Sequence, residues 1–403
     1  MSAGSKAREV SLVPLENGHV TIPSAVFFNT EEGHTSFGRQ GAQEYLTGYE
    51  GRLMRSLKSI LGSELIKETT QIGNRKINFR QIIGIFVQHI KDEAEAYLDE
   101  ALENVVMGRP VHFVDDDEVA DKRAQDELEA IVRGQGFKNV HFEYEPLAAA
   151  RDYESTIQKE ELVLVFDIGG GTSDFSVVRL SPKVKKNADR HKDILANEGV
   201  HIGGTNFDQK LSLETVMLDL GFRTKLKSGL DMPQTPYTEL STWHLINMLY
   251  NQKAMSNIKS MLPFVERRDL LERFVRIQET QRGHEIAEKI ETAKIALSDS
   301  DKFLIDLSDV EKGWEHKVTV KDLKKAIDRD IDRIVSTAEK TVITKAGLKI
   351  GDIDAIFMTG GSTGLPGFEL KIREMFPDAK IQYGDRFSSV AKGLGLAAAD
   401  QFL

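Results

Sequence analysis

The 403-residue chain contains no cysteine, so it forms no disulfide and offers no thiolate to a metal. It has no apolar run approaching the roughly 20 residues that span a bilayer. Residues 1–8 lack the apolar stretch of a secretory signal. Positive charge is not in excess: 53 Lys and Arg against 63 Asp and Glu give a formal net charge of -10, which argues against nucleic acid or an anionic membrane as main partner. There is no internal repeat, heptad series or low-complexity tail. What is present, 40% hydrophobic and 29% charged residues, is an ordinary globular balance in a chain long enough for two or more cores. A soluble, cytoplasmic protein is the expectation.

The most informative stretch is Leu162-Val163-Leu164-Val165-Phe166, then Asp167-Ile168-Gly169-Gly170-Gly171-Thr172-Ser173-Asp174, then Phe175-Ser176-Val177-Val178. Two apolar, β-branched strands flank a turn of three glycines with a carboxylate at each shoulder, which predicts a β-hairpin. Without Cβ atoms, the turn's amides can close on phosphate oxygens. Asp167 can hold the water shell of a Mg²⁺, Thr172 offers a hydroxyl to a phosphate, and Asp174 can anchor the turn. An ordinary glycine-rich hairpin is the alternative. A P-loop needs a Lys-Ser/Thr pair opening a helix, and a dinucleotide fold needs a helix after its glycines; here a strand follows. A phosphate loop between antiparallel strands resembles the superfamily of actin, sugar kinases and heat-shock-seventy chaperones.

Along the rest of the chain, strands are expected at 10–15, 20–28, 105–107 and 140–144, and helices at 81–102 and 119–134. Glu145-Pro146 opens a further helix, with proline in its first turn. Strand–helix alternation on both sides of Asp167 indicates an α/β architecture. A polar insert between Ser181 and Asp193 reads as a solvated hairpin tip. Residues 211–294 are largely helical, 303–307 and 317–320 form a hairpin, 321–345 is helical, and 355–359 is a buried strand.

Four further segments bear on a ligand. Gly203-Gly204 precedes an amphipathic helix, where free amides can meet phosphate or simply start a helix. Thr359-Gly360-Gly361-Ser362-Thr363-Gly364 ends an apolar strand in glycines, which lets a nucleoside approach the backbone. Glu291, Lys294 and Ser298 share a helix face at i, i+3, i+7, suited to ribose hydroxyls and base edges, or equally to solvent. Lys58 is a lone cation among apolar neighbours, a phosphate ligand or a snorkelling surface lysine.

In this order and spacing the segments resemble the nucleotide-binding domain of the heat-shock-seventy (DnaK-type) chaperones, in its short, YegD-like branch, over nearly the whole chain. The resemblance implies an actin-like ATPase fold, α/β, with two lobes of duplicated ribonuclease-H-like domains around a nucleotide cleft. Lobe I would cover 1–158 with a smaller subdomain at about 31–101, and lobe II 159–403 with a helical subdomain at about 211–330. It implies ATP or ADP with Mg²⁺ as ligands. Gly170, Gly171 and Thr172 would hold the β/γ-phosphates and Asp167 would organise Mg²⁺ through water and place the attacking water. Lys58 would contact the γ-phosphate, with Glu145 in the outer shell. Gly203 and Gly204 would lie by the phosphates, and Glu291, Lys294, Ser298, Gly361 and Ser362 would surround the adenosine. Unfolded client proteins or co-chaperones are the partners it implies.

Three departures from that pattern stand out. The family's first strand and its Asp-x-Gly-Thr phosphate loop are expected to be absent, because residues 10–15 already match the strand after that loop. The adenine-sandwiching arginines are replaced by Ile295 and Gly364. No apolar linker or peptide-binding β-sandwich is expected after the last helix. The expectation is therefore an ATP-binding, chaperone-like ATPase domain with slow hydrolysis. The alternatives are a non-catalytic nucleotide switch, then an actin-like filament protein, then a sugar or acetate kinase.

Overall fold

The computed structural model describes residues 2–4, 10–55, 60–61, 64–114, 117–183, 190–385 and 388–402. The N-terminal half begins with β1 (Ser2–Gly4) paired antiparallel to β2 (Val10–Leu12). This is a correction to the sequence reading, in which no strand preceded residue 10; three small residues carry no alternating apolar signal. A three-stranded antiparallel sheet follows, β3 (Ala25–Asn29), β4 (His34–Phe37), α1 (Gly38–Leu46) and β5 (Gly51–Arg55), in strand order β4-β3-β5. After the hairpin β6 (Thr69–Ile72) and β7 (Arg75–Asn78) comes α2 (Phe79–Leu98), started by a reciprocal Asn78–Gln81 capping box. The expected extent to residue 102 is cut short at Asp99, whose φ of 53° ends the helix.

Next, β8 (Asn104–Arg109) and β9 (Asn139–Tyr144) pair in parallel, joined by the crossover helix α3 (Glu118–Gly134). Helix α4 (Glu145–Glu154), with Pro146 in its first turn, then leads to the second half.

There, β10 (Glu161–Ile168), β11 (Ser173–Leu180) and β12 (Ile194–Val200) form an antiparallel meander. It is extended by β15 (Ala355–Thr359) and β16 (Lys380–Tyr383) to the order β12-β11-β10-β15-β16, with β10–β15 and β15–β16 parallel. The two central strands, β10 and β15, read as nearly unbroken apolar runs because both faces are buried. Leu164, Phe166 and Ile168 point into the largest core, beside Phe207 and Ile327. Val163 and Val165 face the other way, against Leu147, Ala149 and Ala150 of α4.

Between β12 and β15 lie α5 (Gly204–Glu214), α6 (Thr235–Leu240), α7 (Gln252–Met261), α8 (Arg268–Glu279) and α9 (Gly283–Ala296). The hairpin β13 (Lys302–Asp306)–β14 (Glu315–Thr319) and α10 (Val320–Lys340) complete this region. A turn of π-helix at Thr341–Lys345 extends α10. Helix α11 (Phe368–Met375) precedes β16, and α12 (Ser389–Phe402) returns to pack on α4, β8, β1 and β2. Among the described residues no helix is long and apolar enough to cross a membrane.

The base of the polar insert is not solvated. Arg190 is buried and its two terminal nitrogens each donate to Glu154, at 2.7 Å. Residues 184–189 of the insert lie outside the described residues.

Candidate functional site

The β10–β11 hairpin sets Asp167 opposite Asp174 and Ile168 opposite Ser173. The turn closes with the Gly169 amide donating to the Thr172 carbonyl at 2.9 Å. The Thr172 hydroxyl lies 3.0 Å from Asp174 Oδ2, to which it donates. A Cβ built on Gly170 or Gly171 would meet nothing within 4 Å. Their amides donate to no acceptor among the described residues. Two unengaged amides on exposed glycines beside two carboxylate shoulders suit an anion carrying a hard cation.

The Gly203-Gly204 segment plays a different part from the one its sequence suggests. The Gly204 amide donates to the Gly169 carbonyl at 3.0 Å, and the Thr205 amide and hydroxyl to the Gly170 carbonyl at 2.7 and 2.8 Å. The Gly203 amide donates to Asn206 Oδ1 at 2.9 Å. The amides at the start of α5 are thus engaged within the chain, and the segment buttresses the hairpin from below. A Cβ on Gly203 would come within 2.8 Å of three backbone atoms of Gly169, Gly170 and Gly171.

The third glycine turn arrives from β15. Asp167 pairs with Thr359, so the strand ends side by side with the carboxylate shoulder. Gly360 has φ +91°, and a Cβ there would lie 2.4 Å from the Ile168 carbonyl oxygen. The Ser362 amide donates to that same oxygen at 3.3 Å. A Cβ on Gly204 would meet Ser362 Oγ at 3.0 Å and Lys294 Nζ at 3.3 Å. All three glycine turns therefore converge on residues 168–171.

On α9, Glu291 is exposed and Ser298 half-buried just beyond the helix end. Lys294 is buried, with Nζ 2.8 and 2.9 Å from the two Asp208 oxygens and 3.3 Å from the Gly204 carbonyl. Burial pushes the Asp208 carboxyl up to about 6; Lys294 opposes this and Glu291 adds to it. Asp208 was not singled out from sequence, although it stands one turn after Gly204, on the same face of α5. Ile295 is 57% exposed.

Lys58 lies outside the described residues. Glu145 opens α4 behind β8: a Cβ on Gly108 would lie 3.5 Å from its Oε1.

A cluster that sequence reasoning missed joins the β3–β5 sheet to the helical region. Arg55 stands 4.9 Å over the Trp243 ring, with its guanidinium pKa lowered by burial and raised in part by Glu291. His284 meets Trp243 edge-on at 4.6 Å and Tyr45 at 5.9 Å, and Asn247 donates to the Tyr45 hydroxyl. Burial depresses the His284 imidazole to about 4.

The family model described as Hsp70 protein matches residues 64–235 and 273–399. The chain is 25% identical over 399 residues to the chaperone protein DnaK of Thermosipho melanesiensis, covering 97% of this chain and 55% of that one. To the chaperone protein DnaK of Thermotoga petrophila it is 26% identical over 397 residues, again 97% and 55%. The chain thus spans about half the length of these curated relatives. With most of its length matched, the chain belongs to the Hsp70 protein family and has that family's actin-like ATPase fold.

Proposed function

We propose that the chain is a nucleotide-binding ATPase domain of heat-shock-seventy type, taking ATP or ADP with Mg²⁺ over the β10–β11 turn. The observation that carries this is the open space above Gly170 and Gly171, with two unengaged amides and carboxylates on either side. The donor set fits a Mg-triphosphate: the Gly170 and Gly171 amides for phosphate oxygens, joined by the Thr172 hydroxyl once it turns from Asp174, and Asp167 for the water shell of a hard cation. When bound, Mg²⁺ would neutralise charge on the phosphates. Asp167 would orient the attacking water, Lys58 would face the γ-phosphate, and Glu145 would stand in the outer shell. Glu291, Ser298, Gly361 and Ser362 would line the nucleoside side, and Gly203 and Gly204 would hold the hairpin in shape.

For this polypeptide, hydrolysis is slow in our reading. One glycine hairpin supplies the phosphate contacts, and losing a preorganised donor costs about 10²–10³ in rate. The engagement of the Gly204 and Thr205 amides within the chain favours, as second reading, a nucleotide-dependent interaction module without turnover. On the order and spacing of its motif segments we assign the chain to the short, YegD-like branch. Its partners would be unfolded clients or co-chaperones, and its location cytoplasmic.

Calorimetry with Mg-ATP tests the site through Gly171→Val. A Cβ at this position meets nothing within 4 Å, so the fold should persist while the phosphate space is filled. Equal affinity in variant and wild type would refute the site. Phosphate release, measured with and without an Asp-x-Gly-Thr strand and loop grafted ahead of residue 10, separates the two readings. An unchanged rate would overturn the slow-hydrolysis reading.

A further inference from the structure

Lys294 is implied to be a nucleoside contact, yet its surroundings assign it elsewhere. An ammonium has three protons, and Lys294 donates two of them within the chain, to Asp208 Oδ2 and to the Gly204 carbonyl. Its nitrogen lies 2.8 and 2.9 Å from the Asp208 oxygens and 3.3 Å from the Gly204 carbonyl, and the side chain is buried. Gly204 is the same residue whose amide donates to the Gly169 carbonyl, and Thr205 beside it donates twice to Gly170. One continuous path of hydrogen bonds runs from Asp208 through Lys294 and Gly204 into the glycine turn. Asp208 and Lys294 sit on different helices, α5 and α9, so the pair also fixes how those helices meet.

We propose that Asp208 is a positioning residue for the phosphate side of the site: it holds Lys294 on the Gly204 carbonyl and so sets the height of the Gly169–Gly171 turn. This rests on the nucleotide reading above. Glu291, Ser298 and the Gly361-Ser362 backbone are left to meet the nucleoside, and Lys294 acts on phosphate affinity through backbone geometry. A buried ion pair suits this purpose because its strength depends steeply on geometry, so it tolerates little displacement of either helix.

The test titrates the full chain with Mg-ATP, Mg-pyrophosphate and adenosine. The proteins are wild type, Asp208→Asn, Lys294→Met and the double variant Asp208→Leu/Lys294→Met. Each single variant should weaken ATP and pyrophosphate by about tenfold and leave adenosine unchanged. The double variant should be no weaker than the worse single, as coupled neighbours require. Should a single variant fail to fold, the double, which leaves no lone buried charge, carries the comparison. Adenosine weakened along with ATP in Lys294→Met would overturn the proposal in favour of direct contact. So would Asp208→Asn with wild-type pyrophosphate affinity, whatever its thermal stability.

A wild type that binds none of the three ligands would refute the nucleotide reading. Amide exchange then still decides the positioning role. Gly204 and Thr205 should exchange faster in Asp208→Asn, and unchanged exchange would overturn it.

Discussion

Gly393 of α12 crosses Ala148 of α4 so closely that a Cβ on the glycine would lie 1.8 Å from the Ala148 carbonyl oxygen. Leu147, Ala148, Ala149 and Ala150 are all buried, so small side chains and the glycine let the two helices meet nearly backbone to backbone. Helix α12 also reaches β8, β1 and β2, while α4 packs under β10, so this crossing joins the two halves of the molecule.

Gly393→Ala is accordingly expected to destabilise the protein by about 1–3 kcal/mol, the range for overpacking a well-filled core. Gly134→Ala is its control, because a Cβ there meets nothing within 4 Å and the residue ends a helix at ordinary φ. It should change stability by less than about 1 kcal/mol, in the stabilising direction. Urea midpoints of both variants give the answer, and equal midpoints would contradict the crossing geometry.

Two glycines of the site separate support from ligand contact. Gly203→Ala drives a Cβ into the backbone of all three turn glycines and should cost about 1–3 kcal/mol while weakening Mg-ATP. Gly170→Ala adds its methyl to open space, so stability should stay within about 0.5 kcal/mol while nucleotide binding falls. Thermal melts paired with calorimetry distinguish the two. A Gly170→Ala protein that binds normally would move the phosphates away from this turn.

The neck of the polar insert is tied chiefly by the buried carboxylate of Glu154, with Asp193 taking the remaining Arg190 nitrogen at 2.9 Å. Glu154 accepts both terminal nitrogens of Arg190 at 2.7 Å and the Ser181 amide at 3.1 Å. Only 7% of either side chain is exposed. Glu154→Gln removes the buried one of the two counter-charges of Arg190, leaving Asp193 on its Nε at 2.9 Å, and should cost about 3 kcal/mol, the low end for a broken buried pair. Glu154→Leu with Arg190→Met should recover most of that loss, since two buried charges leave together. A urea series on the two variants checks the order; a double variant weaker than Glu154→Gln would reverse the argument.

Much of this fold was legible because its strands and helices carry clean periods. The β10–β11 run, the Pro146 start and the 355–359 strand are dictated by local apolar patterning and turn chemistry. The convergence of the three glycine turns was expected only in outline, since no spacing rule says that Gly203 presses on Gly169–Gly171 rather than on a ligand. Asp208 and the Arg55–Trp243–His284–Tyr45 cluster were not legible. Their partners lie far apart in sequence, and a lone Asp on a helix or a lone Trp in a loop has no local signature. The buried Arg190 failed for the opposite reason: it sits in a run of lysines, where composition alone predicts solvent.

The last prediction concerns acid. His284 is depressed from 6.5 to about 4 by burial, so between those values the unfolded chain takes a proton that the folded protein refuses. Stability from His284 is therefore present above pH 6.5 and lost as pH falls to 4, a swing on the order of 3 kcal/mol. His89, also lowered by burial, acts in the same sense. Asp208 acts in the opposite sense. Its carboxyl is raised from 3.8 to about 6, so its contribution is full below 3.8 and lost as pH rises through 6. The His284 and Asp208 windows overlap and those two terms nearly cancel, leaving His89, which predicts a profile that rises only gently between pH 4.5 and 6.5 in the wild type. Replacing His284 with Gln removes one side of that balance. Stability of the variant should fall as pH rises from 4.5 to 6.5, where the wild type changes little. Glu214, held down to about 2 by Arg223 and Lys325, loses its contribution only below 4.5 and leaves this window clear. Urea midpoints of both proteins at half-unit pH steps measure the difference, and parallel profiles would mean that His284 is not buried neutral in the folded protein.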